Sequence, residues 1–202
     1  MPEVGVFLQA RMASTRFPGK VLAPFGPTTV IESAMVRLGT VPCDIRVVVT
    51  DLASLNDLSP VTARHGWEVY AGHPTDVMAR YIAAAKYYNV RVVVRATGDN
   101  PLVDGPQASW LLGLHLRTVA DATHPLGGTP GTAVEVVNRE ALETFYPLAN
   151  PTYREHVMPG VYVAGRINEV WVAETWPEPV TIDTPEDLVR VEKLWREHGQ
   201  ET

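Results

Sequence analysis

The chain contains 202 residues, of which 46% are hydrophobic and 20% are charged, and its formal net charge is -6. This composition is typical of a globular domain with a good core, and it excludes disordered and fibrous proteins. The acidic balance argues against general binding to nucleic acid. The single cysteine, Cys43, excludes an internal disulfide bond and a cysteine-rich metal site.

No stretch of the sequence has the pattern of a membrane anchor or an export signal. There is no run of about 18 apolar residues, and the first residues do not combine a charged segment with an apolar one. We therefore expect a cytoplasmic protein with no membrane partner, in which residues 1–202 form a single domain.

Strand and helix patterns alternate in the first half of the chain. Runs rich in valine predict buried strands, and apolar residues at helical spacing predict helices between them. Thr29 is placed to cap the first helix. Strands are predicted at residues 4–8, 45–50, 67–70 and 91–96, and helices at residues 30–38, 55–65 and 75–89. This alternation predicts an α/β fold with a doubly wound, mainly parallel sheet.

The second half is less regular and predicts a smaller, irregular α+β insertion. A helix is expected at residues 106–119, with Val119 facing the core, before a loop rich in proline and glycine at residues 124–132. Thr184 and Pro185 stand where a cap and a first-turn proline are expected, which predicts a last helix through Trp195. Helices are also predicted at residues 139–145 and 152–163, and strands at residues 133–138, 167–174 and 180–182.

The loop at residues 8–20 has the composition of an anion site. It follows the first predicted strand and carries Arg11, Arg16 and Lys20, while residues 4–31 contain no Asp or Glu. Loops at the carboxyl ends of parallel strands bind ligands in open α/β sheets, and phosphate is the anion that small residues and three cations favour. The alternative is that each cation is solvated surface. The phosphate-loop motif G-x-x-x-x-G-K-[ST] is absent, because it needs glycine in place of Ser14 and a hydroxyl in place of Val21.

Two carboxylates follow short apolar runs elsewhere in the chain. Asp99 comes directly after a predicted strand and after Gly98, where the missing side chain permits close approach, and Asp183 ends another short run. Asp99 can instead make an Asx turn or a cap, and Asp104 fits best as a helix cap. Beside a cationic loop, Asp99 and Asp183 suit Mg²⁺, which takes one or two carboxylates together with water and phosphate oxygens.

Five segments of the sequence together resemble one protein family. They are residues 9–20 (QARMASTRFPGK), 76–81 (DVMARY), 95–104 (RATGDNPLVD), 154–157 (REHV) and 182–188 (IDTPEDL). In this order they resemble the cytidylyltransferases of the spore-coat polysaccharide biosynthesis F type and, more distantly, the CMP-KDO and CMP-sialic acid synthetases.

The resemblance implies a Rossmann-like nucleotidyltransferase fold of the nucleotide-diphospho-sugar transferase kind. It implies that CTP reacts with a sugar or related small-molecule acceptor and releases pyrophosphate, and that the protein is a homodimer. Arg11, Arg16 and Lys20 would hold the triphosphate, and Asp99 and Asp183 would bind Mg²⁺. The implied catalytic residues are Arg16, Lys20 and Asp99, the further nucleotide contacts are Gln9, Ala10, Ser14, Thr15, Asp76, Arg80, Thr97 and Gly98, and the acceptor contacts are Glu135, Arg154 and His156.

Some of these residues also have structural interpretations. Asp76 and Arg80 are four residues apart on a predicted helix, which is the spacing of a surface ion pair. His156 is either a general base or a histidine satisfied inside the fold, and Arg95 can pair with an acid at a strand end.

One departure from the family pattern concerns the acceptor. The expected Gly-x-Asp-Val-Glu-Val reads Gly-Thr-Ala-Val-Glu-Val at residues 131–136, so that Ala133 replaces a carboxylate on the acceptor side. A cytidylyltransferase therefore competes with two other hypotheses: a non-catalytic module that binds nucleotide, and a glycosyltransferase that uses a nucleotide sugar.

Overall fold

The computed structural model describes residues 3–150, 154 and 156–198. Its larger sheet has seven strands, flanked by helices on both faces. The strands are β1 (Glu3–Gln9), β4 (Ile45–Asp51), β5 (Glu68–Gly72), β6 (Val90–Thr97), β7 (Ala122–Gly127), β8 (Glu135–Asn138) and β9 (Ile167–Val172), while β2 (Pro24–Phe25) and β3 (Thr28–Thr29) form a separate hairpin. The helices are α1 (Val30–Leu38), α2 (Leu55–Arg64), α3 (Val77–Tyr87), α4 (Gly105–His115), α5 (Arg139–Phe145), α6 (Pro159–Ala164) and α7 (Pro185–His198).

The strand order of the large sheet is β5-β4-β1-β6-β8-β7-β9. Strands β5, β4, β1 and β6 are parallel to one another, β8 is antiparallel to both of its neighbours, and β9 is parallel to β7. This arrangement confirms the predicted α/β fold with a mainly parallel sheet.

Strand β1 lies at the point where the winding of the sheet reverses. The chain passes from β1 to β4 on one side, continues to β5, and returns through α3 to β6 on the other side of β1. Loops that follow strands on either side of such a reversal diverge and leave a crevice at the carboxyl edge of the sheet. The loops after β1 and β6 line this crevice.

The central strands are buried on both faces, which explains their unbroken apolar runs. Along β1, Val6 and Leu8 belong to the core on one face, whereas Phe7 packs into the core on the other. A third apolar cluster joins α7 to the β2–β3 hairpin and includes Phe25, Val30, Leu102, Val180, Ile182 and Val191. This cluster fixes the segment that carries Asp183.

Among the described residues, side-chain caps set the starts of four helices, and at α7 the Asp187 N–H donates to Thr184 Oγ1, which confirms the predicted cap. Thr29 and Glu32 form a reciprocal capping box at α1, which confirms the predicted cap. Asp104 caps α4 by accepting a hydrogen bond from the Gln107 N–H, also as predicted. Asp76 caps α3 in the same manner, so this helix begins at Val77.

The second half departs from the predicted elements in several places. Helix α4 ends at His115, and Val119 is 81% exposed, so its predicted place in the core is wrong. The predicted loop at residues 124–132 begins as strand β7, where Pro125 is tolerated because the pairing with β8 stops at Thr123. Val180 and Ile182 are buried, but residues 180–182 do not form a strand.

Part of the predicted helix at residues 152–163 lies outside the described residues, and within the described part α6 begins at Pro159. None of the helices in the described residues is long and apolar enough to cross a membrane.

Candidate active site

A cavity of about 470 Å³ opens at the carboxyl edge of β1 and β6. Three parts of the chain provide its polar lining. The loop after β1 contributes Gln9, Arg11, Ser14, Thr15, Arg16 and Lys20, the end of β6 and its loop contribute Arg95, Thr97, Asp99 and Asn100, and the second half contributes His156, Thr181 and Asp183. The cavity therefore combines cations, carboxylates and hydroxyl groups from segments that are distant in the sequence.

Backbone hydrogen bonds bring these segments together. The Gly98 N–H donates to the Gln9 carbonyl at 2.7 Å, and the Ile182 N–H donates to the Asp99 carbonyl at 2.9 Å. A Cβ atom on Gly98 would lie 3.0 Å from the Cβ of Ala10, so the two loops approach closely because both residues are small. Ala10 and Gly98 are not among the residues that line the cavity; they set the separation of its walls.

Lys20 joins the two carboxylates that the sequence singles out. Its Nζ lies 2.7 Å from Asp99 Oδ2 and 2.9 Å from Asp183 Oδ1, and it also donates to the Ile182 carbonyl at 2.8 Å. Arg16 Nη2 lies 3.0 Å from the same Asp183 oxygen. The Lys20 side chain is only 11% exposed, whereas Arg16 is largely in solvent. The cationic loop and the two carboxylates therefore meet at one point.

This point has the donor set that a magnesium ion needs. The carboxylates of Asp99 and Asp183 converge on a single cationic group, the Lys20 ammonium. Among the described residues, no cluster of three or more His, Cys, Asp or Glu side chains could hold a metal by itself. Magnesium does not require such a cluster, because it commonly binds one or two carboxylates and completes its coordination with water and phosphate oxygens. The residues present therefore fit Mg²⁺ bound together with a nucleotide.

A buried ion pair forms one wall beside the cavity. Arg95 Nη1 lies 2.6 Å from Glu135 Oε2, which confirms that Arg95 pairs with an acid. The Tyr162 hydroxyl donates to the other oxygen of Glu135, and His124 Nδ1 lies 3.5 Å from that oxygen. Within this group Arg95 lines the cavity, whereas Glu135 lies behind it.

The ion pair shifts the pKa values of its neighbours. Burial alone would raise the pKa of the Glu135 carboxyl, but contacts with His124, Arg95 and Tyr162 outweigh burial and hold the pKa at about 2. The hydrogen bond to Glu135 raises the pKa of His124 above its usual value. Burial, followed by the Glu135 charge, raises the pKa of the Tyr162 hydroxyl. Glu135 is therefore a fixed anion at neutral pH and Tyr162 a fixed donor.

A second polar cluster surrounds the start of α3. The Tyr146 hydroxyl donates to Asp76 Oδ2 at 2.7 Å, and Arg154 Nη1 lies 3.5 Å from that oxygen. The Arg154 guanidinium also stacks 4.1 Å from the centre of the Tyr146 ring. These contacts connect Asp76 to the residues after α5, away from the cavity lining.

Arg80 is one of the most deeply buried large side chains. It is 1% exposed, and it donates to the carbonyls of His73 and Pro74. The interpretation of Asp76 and Arg80 as a surface ion pair is therefore wrong, because Arg80 is buried and each residue contacts other partners.

The structure thus separates the predicted site residues into those that line the cavity and those that do not. Those that line the cavity are Gln9, Arg11, Ser14, Thr15, Arg16, Lys20, Thr97, Asp99, His156 and Asp183, and those placed outside its lining are Ala10, Asp76, Arg80, Gly98, Glu135 and Arg154. Sequence reasoning did not nominate Asn100 or Thr181, which line the cavity, or Tyr162 and His124, which hold Glu135. Asn100 could have been found from its place next to Asp99, but no sequence pattern connects Tyr162 or His124 with Glu135.

A cavity of this kind, on a mainly parallel sheet and lined by cations and two carboxylates, suits the class of nucleotidyltransferases. Comparison with known proteins identifies the family within this class. The family model described as Cytidylyltransferase matches residues 6–172, and the chain belongs to this family. Asp183 and Thr181 lie beyond the matched residues.

Individual relatives agree with this assignment. The chain is 29% identical to the spore coat polysaccharide biosynthesis protein SpsF of Bacillus subtilis, over 99% of this chain and 89% of that protein. It is 27% identical to a cytidylyltransferase structure from Leptospira borgpetersenii, with a TM-score of 0.87 over 99% of this chain and 96% of that chain. The protein is therefore a nucleotidyltransferase, as the resemblance in the sequence implied.

Two more distant structures share the fold. One is CMP:2-keto-3-deoxy-manno-octonic acid synthetase complexed with CTP, at 17% identity and a TM-score of 0.77 over 96% of this chain and 99% of that chain. The other is the manganese complex of Rv0371C from Mycobacterium tuberculosis, at 18% identity and a TM-score of 0.69 over 95% of this chain and 98% of that chain. These likenesses confirm the Rossmann-like nucleotidyltransferase fold.

Proposed function

We propose that the protein is a Mg²⁺-dependent cytidylyltransferase that transfers CMP from CTP to a sugar or related acceptor during synthesis of a surface polysaccharide or glycan. The observation that carries the proposal is the position of Lys20, whose ammonium lies within hydrogen-bonding distance of both Asp99 and Asp183. Two acids and the cationic loop thus converge at one point, which supports binding of a metal-bound triphosphate there.

The cationic loop would bind the triphosphate. Arg11, Arg16 and Lys20 supply positive charge along one wall of the cavity, and Ser14 and Thr15 supply hydroxyl groups. Gln9 and Thr97 lie at the paired ends of β1 and β6, where they are available to the rest of the nucleotide. Ala10 and Gly98 would affect nucleotide binding indirectly, because they set the distance between the loops after β1 and β6. Asp76 and Arg80 would act by shaping the turn before α3.

Asp99 and Asp183 would hold the magnesium ion. Bound there, the ion would neutralise negative charge on the phosphate oxygens and on the pyrophosphate that leaves. In the reaction an acceptor oxygen attacks the α-phosphorus of CTP, the bond from the α-phosphorus to the bridging oxygen breaks, and pyrophosphate leaves with the bonding electrons. The positive charges of Lys20 and Arg16 would stabilise the charge that develops on the phosphoryl groups.

The acceptor would bind toward the second half of the chain. His156, which lines the cavity, would accept the acceptor proton, and Arg95 would supply a fixed cation to the same cavity. Glu135 would act by holding Arg95, and Arg154 through its contacts with Asp76 and Tyr146. Ala133 in place of the usual Asp is expected to alter which acceptor is accepted.

The chain would act as one catalytic domain, in the cytoplasm where CTP is made. We propose a homodimer, because Trp171 on the outermost strand, β9, is 77% exposed and would be covered by a second copy. Light scattering after size exclusion would test the dimer.

Release of pyrophosphate from a panel of nucleoside triphosphates and acceptors tests the function. We expect release from CTP in the presence of Mg²⁺, and a loss on the order of 10²–10³-fold in Asp99→Asn, as for removal of one electrostatic contact to a transition state. Glu174→Gln, at an exposed position, is the control. Tight CTP binding without turnover on any acceptor would instead favour the nucleotide-binding module that Ala133 suggests. Activity only on a nucleotide sugar would favour a glycosyltransferase.

A further inference from the structure

The hydrogen-bonding capacity of Lys20 is fully used inside the protein. A lysine ammonium has three N–H donors, and Lys20 has three acceptors within 2.9 Å: Asp99 Oδ2, Asp183 Oδ1 and the Ile182 carbonyl. While these contacts hold, no N–H of Lys20 remains for a phosphate oxygen. The same contacts place positive charge against one oxygen of each carboxylate that a divalent cation would need.

The charges at this point are balanced without a metal. Asp99 and Asp183 carry two negative charges, and Lys20 and Arg16, which contact them directly, carry two positive charges. A divalent cation carries the same charge as these two side chains together. It can therefore replace them at the carboxylates without leaving a charge unpaired in a partly buried site.

We propose that Lys20 and Arg16 act as an internal counterion that a divalent metal displaces, so that metal and nucleotide bind together. The inference rests on the proposed function and adds how the site is regulated. In the free protein the two cations hold the carboxylates. When the metal–nucleotide complex binds, the cations leave the carboxylates for the triphosphate, and the divalent cation takes their place.

Both side chains are able to make this exchange. Lysine carries its charge on a flexible four-carbon stem, and Lys20 and Arg16 both line the same cavity as Asp99 and Asp183. Arg16 is 65% exposed, so its guanidinium can turn without disturbing the core. The backbone bond from the Ile182 N–H to the Asp99 carbonyl does not involve the cations, so the two acids stay together during the exchange.

The exchange has a thermodynamic consequence. A metal alone must displace Lys20 with no phosphate to receive it, and a nucleotide alone must draw Lys20 away from two acids. Each ligand is therefore expected to bind weakly by itself and to strengthen the binding of the other, and such coupling is reciprocal. The free protein is protected from filling its acidic site with metal before substrate arrives.

Titration of the full chain with Mn²⁺ in the absence of nucleotide tests the proposal. Free Mn²⁺ is followed by electron paramagnetic resonance in the wild type, Lys20→Met and Arg16→Met. Lys193→Met is the matched control, because Lys193 is 74% exposed on α7 and does not line the cavity. We expect Lys20→Met to bind Mn²⁺ at least about tenfold more tightly than the wild type, because one positive charge next to both carboxylates is gone. Arg16→Met should bind about threefold more tightly, because Arg16 pairs with one of the two carboxylates, that of Asp183.

Each result of the Mn²⁺ titration either supports or overturns the proposed exchange. Unchanged Mn²⁺ affinity in folded Lys20→Met would overturn the exchange, as would an equal rise in the Lys193→Met control. If circular dichroism shows that Lys20→Met does not fold, the test rests on Arg16→Met. An unchanged Mn²⁺ affinity in that variant then overturns the proposal. Because this titration contains no nucleotide, tighter Mn²⁺ binding would stand even if the protein released no pyrophosphate from CTP.

Discussion

Arg95 on β6 and Glu135 on β8 face each other across an antiparallel strand pair, and their side chains form an ion pair at 2.6 Å. Strand β6 belongs to the half of the sheet that carries the proposed nucleotide site, and β8 to the half that would receive the acceptor. The pair therefore connects the two halves of the cavity through one buried contact. Its loss is expected to affect both stability and acceptor binding.

Glu135→Gln is expected to lower the free energy of unfolding by about 3 kcal/mol, because breaking a buried ion pair leaves the Arg95 charge without compensation. Urea denaturation followed by circular dichroism measures the change. Glu174→Gln, at an exposed position, should leave stability within about 0.5 kcal/mol of the wild type. A loss below about 1 kcal/mol in Glu135→Gln would show that water compensates Arg95 and that the pair is not a structural link.

The pH dependence of stability should follow the same cluster. The pKa of Glu135 is lowered from 4.5 to about 2, so its contribution is present above pH 4.5 and is lost as the pH falls toward 2. The pKa of His124 is raised from 6.5, so its contribution is present below pH 6.5 and is lost as the pH rises through the folded value. Both contributions are complete at about pH 5 to 6, where stability from this cluster should be greatest.

Nuclear magnetic resonance titration of the histidine ring protons checks the second half of this prediction. His124 should titrate above its usual pKa in the wild type and return toward that value in Glu135→Gln, because the hydrogen bond to Glu135 causes the shift. His198, exposed at the end of α7, serves as the reference. An unchanged His124 pKa in the variant would mean that another group sets it.

Gly98→Ala should weaken nucleotide binding more than it weakens the fold. The added methyl group would lie 3.0 Å from the Ala10 Cβ and 3.2 Å from the Gln9 carbonyl, so the loops after β1 and β6 must separate by a few tenths of an ångström. We expect the Kd for Mg²⁺ and CTP to rise about tenfold, which corresponds to about 1.4 kcal/mol. Calorimetric titration measures it.

Gly113→Ala is the matched control for that substitution. Gly113 lies inside α4 with only the end of the Arg117 side chain within 4 Å of an added Cβ. Alanine there should stabilise the helix by about 0.5–1 kcal/mol and leave nucleotide affinity unchanged. If both variants bound CTP as the wild type does, the close approach of the two loops would have no part in binding.

Arg80→Met is expected to destabilise the protein without a comparable effect on the cavity. The carbonyls of His73 and Pro74 lose their charged donor, which should cost about 2 kcal/mol of unfolding free energy. Because Arg80 does not line the cavity, the Kd for CTP should change less than about threefold. Arg91→Met, exposed at the start of β6, is the control.

The opposite result for Arg80→Met would be equally informative. A fall of tenfold or more in CTP affinity with normal thermal stability would mean that Arg80 contacts the nucleotide directly, as the family resemblance implies. Thermal unfolding and calorimetric titration of the same sample separate the two outcomes.

Sequence periodicity was sufficient to predict the strands of the central sheet. The doubly buried strands around β1 are continuous apolar runs, and the caps at Thr29 and Asp104 have clear local signals. The meeting of the basic loop with Asp99 also follows from local reasoning, because both come after parallel strands that share a carboxyl edge. Asp183 does not follow a strand, so its place beside Lys20 depends on tertiary packing of the segment before α7.

Other features of the structure that the sequence did not predict have a similar cause. The burial of Arg80 depends on two carbonyls in a turn, which leave no mark in the sequence. Strand β7 contains Pro125 and Gly127, and its part after Thr123 is held by the pairing with β9. The contact of Tyr162 with Glu135 joins α6 to β8 and has no local pattern. Long-range packing decides each of these positions.

The backbone hydrogen bond from the Ile182 N–H to the Asp99 carbonyl attaches the segment after β9 to the cavity, and this matters for truncated forms of the chain. All seven strands of the large sheet end by Val172, where the family match also ends. A fragment cut there would retain every strand pair and could pass a spectroscopic check for secondary structure. It would nevertheless lack Asp183 and the apolar partners of Phe25 and Leu102, so a folded sheet in this protein is no guarantee of a complete catalytic cavity.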